Sequence, residues 1–219
     1  MARYNRADAG CFAGSCEVQL EGGKKVRVGK LRRGMRVVTP RGARRVVAVV
    51  RMPVMRAEMC LVGGGRDGRS GLLITPWHPV LTWRRGEETE RWVFPREVAR
   101  RSVRYTGAVY SVLLGRDEDP EAHAILVNGV WGVTMGHGLT GAGGRHDVRA
   151  HEFFGDYVKV SRALAQLPRR SGGLVLRGGL SRDPLTGLIN GFTRELRGQA
   201  KMLSARERKA AVNARVSRS

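Results

Sequence analysis

Long apolar runs are missing from this chain. The longest candidates, residues 108–114 and 124–135, are broken by Ser111, Asn128 and Gly129. Neither approaches the ~20 apolar residues that a membrane-spanning helix needs. The first residues, Met1 to Asp8, are polar and lack the apolar stretch of a signal peptide. The expectation is an intracellular, cytoplasmic chain with no membrane partner. Cysteine is scarce: Cys11, Cys16 and Cys60 make an odd count with no ladder of spacings, which excludes a disulfide framework. A Cys11–Cys16 bridge is sterically conceivable, but intracellular reduction favours thiols. Internal repeats and low-complexity tracts are absent as well.

Carboxylates are also in short supply, 19 against 40 Lys and Arg, for a net charge of +21. The surplus is spread evenly. Residues 11–138 carry 22 basic and 12 acidic side chains, and residues 139–219 carry 16 and 6. Of the 40 basic residues 34 are Arg, which reads as an amino-acid usage bias of the source. An evenly basic surface binds polyanions non-specifically in any case, so a dedicated nucleic-acid role is the weakest of three functional readings.

What is present suits one domain of moderate size, or a domain with an appended lobe: 219 residues, 42% of them apolar. Residues 1–10 read as a flexible leader. Val18–Leu20, the alternating Lys25–Val28, Leu31–Val38, Val46–Val50, Leu72–Thr75, Tyr105–Leu114 and Ala124–Val133 read as strands. Turn chemistry separates them every eight to twelve residues, as in Thr39-Pro40-Arg41-Gly42 and the Gly63–Gly68 loop. The fold class is mainly β, built from many short strands over residues 11–138. After a glycine-rich loop, Phe153, Tyr157, Val160, Leu164 and Leu167 recur at helical spacing, and Gly172-Gly173 and Asp183–Gly187 flank one or two short strands. Residues 139–192 are therefore a small C-terminal extension with one or two helices. Residues 193–219 are a basic tail, helical or disordered, with few apolar anchors.

One constellation carries chemistry. Gly10-Cys11 places a thiol directly after a glycine carbonyl, and Thr75-Pro76-Trp77-His78 supplies a hydroxyl and an imidazole three residues apart. A thiol can attack its own preceding peptide carbonyl and convert the amide to a thioester, if a proton is delivered to the leaving nitrogen. Glycine at position 10 leaves the approach unobstructed. No cofactor is required.

These motifs resemble the Hint superfamily, the self-processing domain shared by inteins and the C-terminal part of hedgehog proteins. The Cys11–Val18 segment with Lys25–Val37 is similar to its N-terminal block, and Leu73–Pro79 to its Thr-x-x-His block. Val109–Leu114 through His123–Gly129 to Gly136-His137-Gly138 is similar to its C-terminal block. Within it, Thr75–Val80, Trp92–Pro95, Thr134–Gly138 and Asp183–Leu188 resemble the Vint subgroup, which accompanies von Willebrand factor A domains. The resemblance covers about residues 10–192. It implies a Hint-type fold with the extension packed on its core, and autocatalytic cleavage of the Gly10–Cys11 bond by an N–S acyl shift. Cys11 would be the nucleophile. His78 would protonate the departing amine, and Thr75 would hydrogen-bond near the oxyanion. His123 and His137 fall in the C-terminal block, with His137 a second proton-transfer group. The implied partner is the chain's own upstream polypeptide, in a longer form a von Willebrand factor A-containing protein.

Departures narrow this. Splicing members end in His-Asn, whereas Gly138 follows His137, so no amide is present to cut the C-terminal bond. One-sided cleavage remains, by hydrolysis or transfer to another nucleophile. Cys16 replaces a common Thr, and Met35 a common Asp. Only ten residues precede Cys11, so as written the chain has little to release and reads as a fragment, a remnant or a relic.

Other readings stand beside these. Cys11 as a buried apolar thiol, with Thr75 and His78 as structural turn residues, makes the chain a silent interaction module. His123 and His137 serve equally well as structural hydrogen-bonding groups, and Trp77 and Trp92 as core aromatics. Neither His146, Asp147, His151 and Glu152 nor Cys11, Cys16, Cys60 and His78 has zinc-site spacing, so no metal is expected.

Overall fold

In the computed structural model, residues 10–64, 71–83, 88–141, 147–170 and 173–193 are described. Nearly all of the leader and the tail, His146, Gly172 and part of the Gly63–Gly68 loop lie outside them. The chain runs through β1 (Phe12–Ala13), β2 (Glu17–Gln19), β3 (Lys25–Arg27), β4 (Arg36–Thr39), β5 (Gly42–Val62), β6 (Leu72–Ile74), β7 (Val80–Thr82) and β8 (Arg91–Val93). Then follow α1 (Pro95–Val98), β9 (Arg101–Leu114), β10 (Ala124–Val127), β11 (Val130–Val133) and α2 (Tyr157–Ala165). The last elements are β12 (Arg169–Arg170), β13 (Gly173–Val175), β14 (Leu180–Arg182) and β15 (Ile189–Phe192). The architecture is mainly β, as the sequence indicates.

One sheet orders its strands β12-β13-β5-β6-β1-β9, with β4 also on β5 and β9 closing back onto β5. The second is β3-β2-β10-β11-β7-β8, and β14 with β15 forms a hairpin. Phe12, Met59, Leu72, Ile74, Leu113, Leu114 and Ile125 are fully buried.

Two strands outrun the sequence reading, β9 by four residues and β5 by far more. β5 has 21 residues and β9 has 14, and they pair antiparallel from Val46↔Leu114 to Leu61↔Arg101. Only Val46–Val50 of β5 is apolar enough to read as a strand. Beyond it, Arg51, Pro53, Arg56 and Glu58 interrupt the pattern, but much of this ribbon is solvated and needs no apolar alternation. Between Val54 and Ala57 the register shifts, and Arg56 there has φ 52°, as at a bulge.

Ala124–Val133 is not one strand but a hairpin, closing from Ala124↔Val133 to Val127↔Val130. Asn128 and Gly129 both have positive φ, 46° and 78°, the demand of a type I′ turn. The Asn128 side chain also accepts the Glu17 N–H at 2.7 Å and donates to the Gly71 carbonyl at 2.8 Å, tying the turn to its neighbours.

In the C-terminal part, β13 joins β5 in parallel, Leu174 opposite Val50. α2 buries Val160 and Leu164, and Phe153, Phe154 and Leu167 pack into the same core. Phe153 keeps the helical spacing but precedes the helix. The Asp156 carboxylate accepts the N–H groups of Val158 and Lys159, both at 2.9 Å, and starts α2 there.

Trp77 and Trp92 are half-buried rather than central. Trp77 packs edge-on against Phe94 at 5.3 Å with the Arg96 guanidinium at 5.7 Å, and Arg149 lies 4.4 Å over Trp92. Cation–π contacts of this kind suit an indole at the edge of a core. Among the described residues no helix is long and apolar enough to cross a membrane.

Candidate active site

A strand of two residues positions the site. β1 lies between β6 and β9, with Phe12 opposite both Ile74 and Tyr110. One residue earlier in both registers, Cys11 is therefore flanked by Thr75 and Ser111. The Thr75 N–H donates to the Cys11 carbonyl at 3.0 Å, and the Cys11 N–H donates to Thr75 Oγ1 at 2.9 Å. Ser111 Oγ donates to the Gly10 carbonyl at 2.6 Å and sits 3.2 Å from Cys11 Sγ. A hydroxyl has one proton, and Ser111 gives it to Gly10, so the Cys11 thiol is the donor in the second contact. The chain Sγ–H···Oγ–H···O=C holds the sulfur beside the carbonyl that precedes it.

Thr75 thus differs from its expected place. The hydroxyl at the Gly10 oxygen belongs to Ser111, and Thr75 grips the amide nitrogen instead. Ser111 is a site residue that the motif pattern misses, because it is a lone serine inside an apolar run.

The Thr75–Pro79 turn carries the chain from the first sheet to the second and is closed by the His78 N–H on the Thr75 carbonyl at 3.2 Å. His78 is buried, its ring tilted against Phe12 at 4.3 Å. Its Nε2 lies 2.7 Å from the Val133 carbonyl. A carbonyl only accepts, so the proton is on Nε2 and Nδ1 keeps the lone pair. Nδ1 has no hydrogen-bond partner. It faces the scissile linkage: a Cβ placed on Gly10 would stand 3.0 Å from His78 Cγ and 3.1 Å from Nδ1. No residue larger than glycine fits there without moving the ring. Burial pushes the His78 pKa down to about 4, against smaller upward contributions from the Val133 and Cys11 backbones. The imidazole is neutral at pH 7.

His137 shares a cavity of about 20 Å3 with Gly10 and His78. Its Nδ1 accepts the Leu139 N–H at 3.3 Å, and its Nε2 is buried without a partner. Burial and then the Arg149 charge push its pKa down to about 3. His123 sits elsewhere. Its Nε2 is 3.2 Å from the Asp117 carbonyl, its ring stands edge-on to Tyr157, and its carbonyl accepts from Thr134 Oγ1 at 3.0 Å. These contacts fix the loop before β10, and none of them reaches Gly10 or Cys11.

The three cysteines are thiols. Burial raises the Cys16 pKa, and its sulfur accepts the Leu73 N–H at 3.3 Å, a structural tie between the β1–β2 turn and β6. Asp147 holds Arg149 at 2.7 Å, His151 Nδ1 accepts the Phe153 and Phe154 N–H groups, and Glu152 accepts the Gly141 N–H. Those interactions give Asp147, His151 and Glu152 structural work. Cys11, itself buried, also lines a cleft of about 470 Å3 shared with Thr75, Trp77, Met52, Val109 and Leu180.

Known proteins with similar structures include the gp41-1 intein, 10% identical, with a TM-score of 0.39 over 57% of this chain and 99% of that one. A DnaB intein from Synechocystis sp. PCC 6803 is 16% identical, with a TM-score of 0.37 over 57% of this chain and 99% of that one. The MchDnaB-1 intein is 16% identical, with a TM-score of 0.38 over 56% and 99%. No curated protein matches the sequence. Residues 10–191 match the model of the Vint Hint-domain, and the chain belongs to that family of Hint domains.

Proposed function

We propose that this chain is an autocatalytic self-processing domain that cleaves its own Gly10–Cys11 bond through a thioester. The observation that carries the reading is Ser111, whose hydroxyl contacts both the Gly10 oxygen at 2.6 Å and the Cys11 sulfur at 3.2 Å. Nucleophile and electrophile are held together by one group, and that group already donates where negative charge will develop.

Cys11 Sγ attacks the Gly10 carbonyl carbon. Charge builds on the oxygen and is met by the Ser111 hydroxyl. The thiol proton must finish on the Cys11 nitrogen, because an amide nitrogen leaves only as an amine. Neutral His78 Nδ1, the lone-pair nitrogen packed on this linkage, takes that proton and returns it to nitrogen as the C–N bond breaks. Thr75 Oγ1 holds the N–H meanwhile, fixing the nitrogen as it changes from planar amide to pyramidal amine. The products are an S-acyl Cys11 and its α-amine. The upstream polypeptide is the substrate, and water or an added nucleophile releases it. Splicing is not proposed, because Gly138 stands where an asparagine would be needed.

The test is a reporter protein fused ahead of Gly10, with wild type compared against Cys11→Ala, each with and without hydroxylamine. The reading expects wild-type cleavage at Gly10–Cys11, accelerated by hydroxylamine, and an intact Cys11→Ala fusion. A wild-type fusion that survives hydroxylamine would leave the silent interaction module as the better reading.

A further inference from the structure

The shift leaves the upstream segment on sulfur, and something must take it off. The two histidines beside Gly10 bear on what that is. They sit in different loops, His78 before β7 and His137 after β11, yet their ring nitrogens are complementary. His78 is fixed by the Val133 carbonyl with its lone pair on Nδ1. His137 is fixed the opposite way, because its Nδ1 accepts the Leu139 N–H, which puts its proton on Nε2. One ring therefore offers an acceptor and the other a donor. Both atoms are buried and neither has a protein partner.

A buried donor without a partner costs about 1–3 kcal/mol, as does a buried acceptor, so two on residues that line one cavity call for an explanation. The cavity that both rings line supplies one. Its volume is about 20 Å3, with Gly10, Thr134, Met135 and Phe154 among the other walls. One water needs ~10–15 Å3 and at least two polar partners. The space is therefore large enough for one water.

We propose that this cavity binds the hydrolytic water, held between His137 Nε2–H and His78 Nδ1 at the Gly10 acyl carbon. The inference rests on the self-processing reading and names its acyl acceptor. The acyl group moves only from the nitrogen to the sulfur of the same residue, so the Gly10 carbonyl carbon stays at the cavity wall. His137 donates to one lone pair of the water and orients it. His78 Nδ1 takes a water proton as the water oxygen bonds to the acyl carbon. The C–S bond then breaks, and His78 returns the proton to the Cys11 thiolate. The released segment ends in a Gly10 carboxylic acid, and the domain keeps a thiol. Neither an oxidant nor a metal enters the balance.

The experiment uses the same reporter fusion and measures two rates, spontaneous cleavage in buffer and cleavage driven by hydroxylamine, in wild type, His137→Leu and His137→Gln. Removing the donor is expected to lower the ratio of spontaneous to hydroxylamine-driven cleavage on the order of tenfold or more in His137→Leu. His137→Gln, which keeps an N–H near the position of Nε2, is expected to recover part of it. An unchanged ratio in His137→Leu overturns the proposal. So does a wild-type fusion that hydroxylamine cleaves but buffer does not, and in that outcome the thioester reading survives. A wild-type fusion inert to both removes the reading itself. Should the His137 variants fail to fold, a crystal structure of the Cys11→Ala fusion decides: density for one water within hydrogen-bond distance of both His137 Nε2 and His78 Nδ1 supports the proposal, and a dry cavity overturns it.

Discussion

Ser111 Oγ donates to the Gly10 carbonyl oxygen at 2.6 Å, across 101 positions of sequence. This bond exists in the uncleaved protein and strengthens as the oxygen gains charge, which is the condition for a donor to stabilise a transition state more than the ground state. Ser111→Ala is therefore expected to slow hydroxylamine-driven cleavage by ~10²–10³-fold, the usual effect of losing one oxyanion donor. The fold should persist, because the side chain shrinks and only its hydroxyl's two contacts, to the Gly10 carbonyl and the Cys11 sulfur, are lost. A variant that cleaves at the wild-type rate would show that Ser111 only ties β1 to β9.

Thr75 predicts a different signature. Its Oγ1 accepts the Cys11 N–H, so Thr75→Val keeps the shape and leaves a buried donor unmatched. That costs about 1–3 kcal/mol of stability. The amine also loses its anchor while it leaves, so cleavage should fall by about tenfold or more. Urea unfolding and the cleavage rate measured together separate the two effects. A stability loss with an undiminished rate would restrict Thr75 to holding the strand.

How much of this was legible in the sequence differs from residue to residue. Gly10, Cys11, Thr75 and His78 are close together in two short motifs, and their chemistry is unusual enough to read directly. Ser111 is not, because its role comes from the register of β1 against β9, which pairs Phe12 with Tyr110, far away in sequence. Register is set by tertiary packing, and a lone polar residue in an apolar strand carries no local mark of it. The β10–β11 hairpin carries a signal that the single-strand reading of Ala124–Val133 passes over, since Asn-Gly between apolar runs marks a turn by itself. The length of β5 was not, because a solvated ribbon drops the period-two pattern that marks strands. The opposite tautomers of His78 and His137 also escape the sequence, being fixed by a Val133 carbonyl and a Leu139 N–H.

Gly10 tests the packing of the imidazole. A methyl at this position would stand 3.0 Å from His78 Cγ, and the ring is boxed in by Phe12 and by its bond to Val133. Gly10→Ala should displace Nδ1 from the scissile linkage, with a drop in cleavage on the order of tenfold, since proton transfer needs hydrogen-bond distance. A larger residue, as in Gly10→Val, should do more harm. Equal rates for glycine, alanine and valine would mean that His78 has room to move and that the close approach is incidental.

Acid should act on the rate and on the fold over different ranges. The cleavage scheme requires His78 Nδ1 unprotonated, and burial pushes its pKa down to about 4. Cleavage by an added nucleophile should therefore keep its His78 contribution from neutral pH down to about 5, and lose it as pH falls through about 4. Stability begins to fall earlier. His78, His137 and His151 are buried and neutral in the folded chain, with pKa values pushed to about 4, 3 and 4, whereas an unfolded histidine titrates near 6.5. Below pH 6.5 the unfolded chain binds protons that the folded chain refuses, so stability declines with falling pH through the window from about 6.5 to about 4. Urea midpoints measured from pH 7.5 to pH 4.5 should drop steadily, and His151→Gln should flatten part of that slope. A midpoint constant over this range would mean that these rings take up protons in the native state, and the neutral His78 on which the proton transfer depends would be lost with it.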